Sequence, residues 1–267
     1  MTTHGTHPLD VAALAPADRA SLFAYLQRIG DDRLVLGHRL SEWCGHAPIL
    51  EEDIALGNIA LDLLGHATRA LELAGEVEGQ GRTADQLAYF REAVEYRNVQ
   101  LVELPKGDFG YTVARQFFFD ACSIHLMDAL QRSTHAGIAA LAAKAVKEER
   151  YHLRHSSEWM VKLGDGTTES HDRVQRSVNE LWRFTGELFE GDAVDERMTQ
   201  LGIAPALADI RSKWNGIVDD VLGRATLVRP ADGYFARGGR AGQHTEYLGH
   251  LLGEMQIVAR SHPGAEW

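Results

Sequence analysis

Glu149 and His152 are the residues of this chain best placed to do chemistry together. They lie in the run Lys147-Glu148-Glu149-Arg150-Tyr151-His152-Leu153-Arg154-His155, inside a long Ala-rich stretch that predicts one helix. Residues three apart on a helix share a face, so this carboxylate and this imidazole point the same way. Joined by carboxylates from neighbouring helices, such a unit holds two irons in the core of some four-helix bundles. Glu and His are also common on helix surfaces. The spacing therefore gains meaning only if other helices bring acids to the same level.

Those helices can be placed from the sequence. Pro16 and Asp18 open the first, because Pro is tolerated in a first turn and Asp suits the positive end of the helix dipole. Apolar residues from Leu22 to Trp43 carry it to about Gly45, with a soft point at Gly30. A second helix restarts at Pro48 and reaches about Gly75. It is apolar nearly all round between Ile54 and Leu64, which predicts burial on most sides. Within it Asn58, Asp62, His66 and Arg69 form a polar stripe at helical spacing. Residues 75–83 are a Gly-rich loop, and residues 84–109 a short helix followed by an irregular crossover through Pro105-Lys106-Gly107. Two more long helices follow, about Tyr111 to Ser133 and about Gly137 to Leu163, and Gly164-Asp165-Gly166 ends the second of them as Gly does at helix C-termini.

Further helical segments fall near 170–190, 205–225 and 242–261, and no strand-like alternation is present. The expected fold is all-α: a ferritin-like four-helix bundle over about 16–163 with additional C-terminal helices over about 168–262. Residues 16–267 would form one helical domain behind a flexible tail of residues 1–15, whose His4 and His7 are read as part of a disordered segment.

Register then tests the metal hypothesis. Asp120 lies about fourteen residues before the turn near 134–135 and Glu149 about fourteen after it, so in an antiparallel hairpin they meet at mid-helix. Asp62 lies about fifteen residues past the turn near Ala47 and reaches a similar level. Asp62, Asp120, Glu149 and His152 are therefore expected to converge. A di-iron site in such bundles takes a second Glu-x-x-His and a further carboxylate. Here Asp62 is followed by Gly65, with His66 one position out, and the first helix offers only Asp32. Its neighbour Arg33 could neutralise Asp62 or Glu149. We therefore expect no bound metal and treat the four residues as vestigial di-iron-like positions in a buried network, paired by Arg33, by Lys144 or by protonation, since buried charges must be paired. The alternative is that they hold iron in a ferritin-like oxidase or oxygenase active in its own right.

Composition narrows the rest. With 267 residues, 45% hydrophobic content and 7 Pro, the chain can bury a sizeable helical core. A net charge of -11 argues against nucleic acid as a partner, because phosphates demand a basic surface. No apolar run is long enough to span a membrane and no signal-peptide pattern opens the chain, which together predict a cytoplasmic protein. Cys44 and Cys122 are expected to be reduced, buried thiols. The loop Ala236-Arg237-Gly238-Gly239-Arg240-Ala241-Gly242 has two readings: a grip for an anion such as a CoA phosphate, through Arg237, Arg240 and backbone N–H groups, or a solvated connector. Glu246 and His250 are expected to be a surface pair, and no nucleophile-elbow motif is present.

Several stretches carry a family likeness: Leu40-Ser41-Glu42-Trp43-Cys44-Gly45-His46-Ala47-Pro48, Asn58-Ile59-Ala60-Leu61-Asp62-Leu63-Leu64-Gly65, and Lys147-Glu148 with Arg150-Tyr151-His152-Leu153-Arg154. Leu181-Trp182-Arg183-Phe184-Thr185, His244-Thr245-Glu246 and the ending Pro263-Gly264-Ala265-Glu266-Trp267 add to it. The chain resembles the PaaC-type subunit family of the multicomponent ring-1,2-phenylacetyl-CoA epoxidase. That resemblance implies a ferritin-like fold, a place in aerobic phenylacetate breakdown, and a non-catalytic, structural role beside a catalytic A subunit. In that family it is the A subunit that carries the di-iron centre and uses O2 on phenylacetyl-CoA. A reductase component with flavin and Fe–S groups supplies electrons from NADPH. The resemblance further implies a small or apolar residue where this chain has Glu149, so Glu149 keeps a partial site open. On physical grounds, wide apolar faces such as that of the second helix can bury against a related subunit, and the Trp and Phe residues of 181–189 are interface anchors or core residues.

Overall fold

A computed structural model describes residues 9–265 of the chain and, among them, only helices and connections. Four long helices make the central bundle: α1 (Pro16–Ser41), α2 (Leu50–Glu78), and, after two short helices α3 (Ala84–Tyr89) and α4 (Gln100–Glu103), α5 (Phe109–Leu130) and α6 (Ala136–Gly164). The ferritin-like expectation holds, with helix bounds shifted by a few residues. Of the stretch expected as a tail, residues 1–8, including His4 and His7, lie outside the described residues. Residues 9–15 are not loose: Val11–Ala13 form a short 3-10 turn capped by Asp10, and the Leu9 N–H donates to the Thr134 carbonyl at 2.9 Å. The last two residues of the Pro263–Trp267 ending also lie outside the described part.

Local chemistry explains the elements. Asp108 caps α5 through the Tyr111 N–H, and Thr83 closes a capping box on α3. The α1 helix runs through Gly30 without a break. A Cβ there would lie 2.8 Å from the Leu71 side chain, so Gly30 is a point of close approach to α2 rather than a soft point. Leu71 opposite Gly30 and Leu64 opposite Gly37 fix α1 and α2 as an antiparallel hairpin. The crossover then travels the length of the bundle: Trp43, at the far end of α1, donates its Nε1–H to Thr112 in the first turn of α5 at 3.0 Å.

The appended helices α7 (Thr168–Thr185), α8 (Ala193–Gln200), α9 (Leu207–Arg224) and α10 (Glu246–Ser261) pack outside this bundle. Phe118 of α5 sits 5.7 Å from Trp182 and 6.0 Å from Trp214, and the Trp214 Nε1–H donates to the Phe118 carbonyl. Trp182 is thereby a core residue joining α7 to the bundle. The α8 helix, absent from the segments expected from the sequence, ties itself to α1 by two ion pairs, Asp195–Arg28 and Asp18–Arg197. The loop before α10 is wedged under the crossover. Gly242 has φ +80°, and a Cβ there would lie 2.3 Å from the Val94 carbonyl oxygen. Gly242→Ala is therefore expected to cost about 1–3 kcal/mol, from strain and from the forced shift of backbone. Urea unfolding at neutral pH checks this, and a value under about 0.5 kcal/mol would show that the loop yields freely.

Candidate functional site

The centre of the bundle is polar. Asp120 on α5 and Glu149 and His152 on α6 are each fully buried, and they bring ligand atoms within 4.8 Å of one another. The hairpin register expected from the sequence is thus realised. Asp62 reaches the cluster from α2, its Oδ2 3.0 Å from His152 Nε2, but it remains partly exposed at the edge. Arg33 enters from α1. Its guanidinium donates to Ser123 Oγ at 2.7 Å and lies 3.4 Å from Glu149 Oε1, while Ser123 Oγ–H donates to the same Glu149 oxygen at 2.6 Å. The alternative partner for this charge, Lys144, is exposed.

Asp120 is held by two donors of its own, Gln116 Nε2 at 2.6 Å and Ser156 Oγ at 2.7 Å. Sequence reasoning did not single out Gln116, Ser123 or Ser156. The signal was there: they stand four before Asp120, three after it and four after His152, on the helix faces that carry those residues. His66, one position out of the expected motif, hydrogen-bonds Glu148 instead of joining the cluster. Asn58 and Arg69 are exposed, so the expected polar stripe divides between core and surface.

Electrostatics follow from the burial. Desolvation pushes the Asp120 carboxyl up to about 7, with the Glu149 charge adding to it and His152 opposing it. Burial pulls His152 down, but the hydrogen bond with Asp62 and the charges of Glu149 and Asp120 outweigh this and hold it above the usual imidazole value. Burial and Arg33 depress His66 to about 4, so its contact with Glu148 is that of a neutral imidazole. Asp120 in the folded chain keeps a proton that the unfolded chain, with an ordinary Asp, has lost. Its stabilising contribution is thus full below about pH 4 and is lost as pH rises through about 7. His152 acts with the same sign above its ordinary value of 6.5, whereas His66 opposes it between about 6.5 and 4. Asp120→Asn is expected to flatten the fall in unfolding free energy between about pH 5 and pH 8. Urea titrations across that range check it, and parallel wild-type and variant profiles would refute the protonated Asp120.

The donors present do not fit a dinuclear iron centre. Two carboxylates and one imidazole converge, and one oxygen of Glu149 is already committed to Arg33 and Ser123. Asp62 is spent on His152, and Asp32, the acid expected from the first helix, points elsewhere. A bundle site of that kind takes four carboxylates and two imidazoles.

Asp32 belongs to a second buried network at the crossover. It accepts from the Val99 N–H at 2.8 Å and from both terminal nitrogens of Arg240 at 3.0 and 2.8 Å. Glu187 takes the N–H groups of Gly238 and Gly239 at 2.9 and 2.7 Å. The anion grip considered for this loop is accordingly filled from within: the glycine N–H groups hold a carboxylate of the chain itself, and Arg240 holds Asp32. Arg237 is exposed and pairs with Glu190. Glu103 binds His244 at 2.8 Å and Asn98 at 2.9 Å, a pairing that sequence reasoning missed because it spans the crossover and the last loop. Glu246 and His250 are both exposed, and the structure gives no hydrogen bond or ion pair between them. Both cysteines are free; Cys122 is buried as expected, whereas Cys44 is exposed at the α1–α2 turn.

The outer face of α2 departs from the expected burial. Leu50, Ile54 and Leu61 are 72%, 56% and 68% exposed, and Ile49 is half exposed beside them. Gly57 lies between Ile54 and Leu61, and Gly65 one turn beyond Leu61; at both, an added Cβ would meet nothing within 4 Å among the described residues. No described helix is long and apolar enough to cross a membrane.

Comparison with known proteins adds two findings. A sequence family described as "Phenylacetic acid catabolic protein" matches residues 9–267. A curated relative from Escherichia coli (strain K12), the C subunit of 1,2-phenylacetyl-CoA epoxidase, is 46% identical over 246 residues, covering 92% of this chain and 99% of that protein.

Proposed function

Because the chain belongs to the phenylacetic acid catabolic protein family, we propose that it is the C subunit of a phenylacetyl-CoA epoxidase, a structural and non-catalytic partner of the di-iron catalytic A subunit. The observation that carries the structural role is Arg33. Its guanidinium sits against Glu149 in the bundle core, where a metal-binding relative would need a free carboxylate. Iron, O2 chemistry on phenylacetyl-CoA, and the NADPH, flavin and Fe–S groups then belong to the other subunits, in the cytoplasm. This chain contributes a rigid bundle and a surface.

The exposed face of α2 suits that surface. Glycine inside a helix costs about 0.5–1 kcal/mol relative to alanine. Gly57 and Gly65 have no neighbour among the described residues that requires them. Alternating with Ile54 and Leu61 along the helix, they leave a smooth apolar face against which the helix of a related bundle can lie closely. Obligate interfaces are large and apolar in this way.

A second reading, an iron-binding oxidase acting alone, rests on the convergence of Asp120, Glu149 and His152. Glu149→Gln separates the two. In the reconstituted complex the structural role predicts turnover within about twofold of wild type, while a loss of about 100-fold or more with the complex intact would favour the iron reading.

A further inference from the structure

Building on the reading of this chain as a metal-free subunit, we propose that Arg33 is the built-in cation that keeps the Asp120–Glu149–His152 cluster closed to metal. The same three side chains would take one divalent first-row metal ion once that guanidinium is removed. Two buried atoms of the cluster have no hydrogen-bond partner among the described residues: Glu149 Oε2 and His152 Nδ1, on fully buried side chains and 3.9 Å apart. A network evolved only to satisfy its own members would not leave a carboxylate oxygen and an imidazole nitrogen facing each other at ion-pair distance with no hydrogen bond to either. Asp120 completes a set of two carboxylates and one imidazole, which suits Zn2+, Fe2+ or Co2+.

Arg33 supplies the opposing charge. One terminal nitrogen contacts Ser123 and Glu149 and the other donates to the Ile29 carbonyl at 3.3 Å, while the guanidinium lies 5.8 Å from the Phe119 ring centre. The side chain is 1% exposed, so it cannot swing into water to admit a metal. Its fixed positive charge next to Glu149 repels any dication seeking that carboxylate, at low dielectric where such repulsion is strongest. Without Arg33 the buried acids lack a counter-charge, and a metal ion is the natural replacement.

The test is Co2+ titration of the purified wild type, Arg33→Gln and Arg33→Gln/Glu149→Gln, read by visible absorption and by thermal unfolding with and without Co2+. Expected are no band and no shift for the wild type, one Co2+ per chain with a raised midpoint for Arg33→Gln, and loss of both in the double variant. The affinity gain should be about a thousandfold or more. A variant that folds only when Co2+ is supplied supports the inference. One that folds without metal and stays colourless overturns it while leaving the metal-free reading intact. Failure of both Arg33→Gln and Arg33→Met to fold even with Co2+ also overturns it, since a metal then cannot replace the guanidinium. Binding of one Co2+ by the wild type would overturn the inference and the metal-free reading together.

Discussion

Leu61→Asp is expected to abolish association with the catalytic subunit proposed as its partner and to lower epoxidase turnover of the mixed components by about 100-fold or more, while the chain stays folded. Leu61 is 68% exposed at the middle of α2, on the face it shares with Ile54 two turns earlier. An aspartate there meets only water in the free chain, so its stability should change by no more than about 1 kcal/mol, the scale of helix propensity. In a closely packed apolar interface the same carboxylate would be buried unpaired, which is costly. Size-exclusion chromatography of the mixed subunits, with circular dichroism of the variant alone, checks both halves. Wild-type association would place the docking face elsewhere on the chain.

Arg91→Met should give the largest loss of stability. Arg91 is 2% exposed and grips Asp31, itself fully buried, through both terminal nitrogens; Asp31 also accepts the Arg97 N–H at 2.8 Å. Arg91 further donates to the Glu95 carbonyl and stacks 4.3 Å from the Tyr96 ring centre, so one guanidinium joins α1 to the whole start of the crossover. Removing it strands a buried carboxylate and should cost about 3–5 kcal/mol. For a chain of this size that corresponds to a midpoint lower by about 6–20 °C. Adding Asp31→Asn removes the stranded charge while still accepting from Arg97, and should recover part of the loss. Calorimetry on the single and double variants decides it. A single variant within about 1 kcal/mol of wild type would show that the pair is not a structural lock.

The centre of the bundle was legible in the sequence because local rules fix it. Equal distances from one turn place Asp120 opposite Glu149, and helical spacing aligns Glu149 with His152. The partners of Asp32 were not legible. Arg240 lies far along the chain from it, on a loop whose path depends on how the crossover packs, and nothing local to either residue encodes the pairing. The same holds for Glu187, which looks like an ordinary acid until the chain folds Gly238 and Gly239 over it. The α2 helix misled for another reason. Apolar residues all round a helix imply burial, but the pattern cannot say whether the cover comes from the same chain or another. Leu50, Ile54 and Leu61 remain uncovered within this one.

The central claim is that this bundle holds the Arg33 guanidinium against Glu149 in place of a metal ion. Iron measured by mass spectrometry in the purified chain, expressed with ample iron and without its partners, tests it most directly. The account predicts iron well below one atom per chain, unchanged by Asp120→Asn. Iron near two atoms per chain, lost in that variant, would contradict it and make this protein an oxygen-activating centre in its own right.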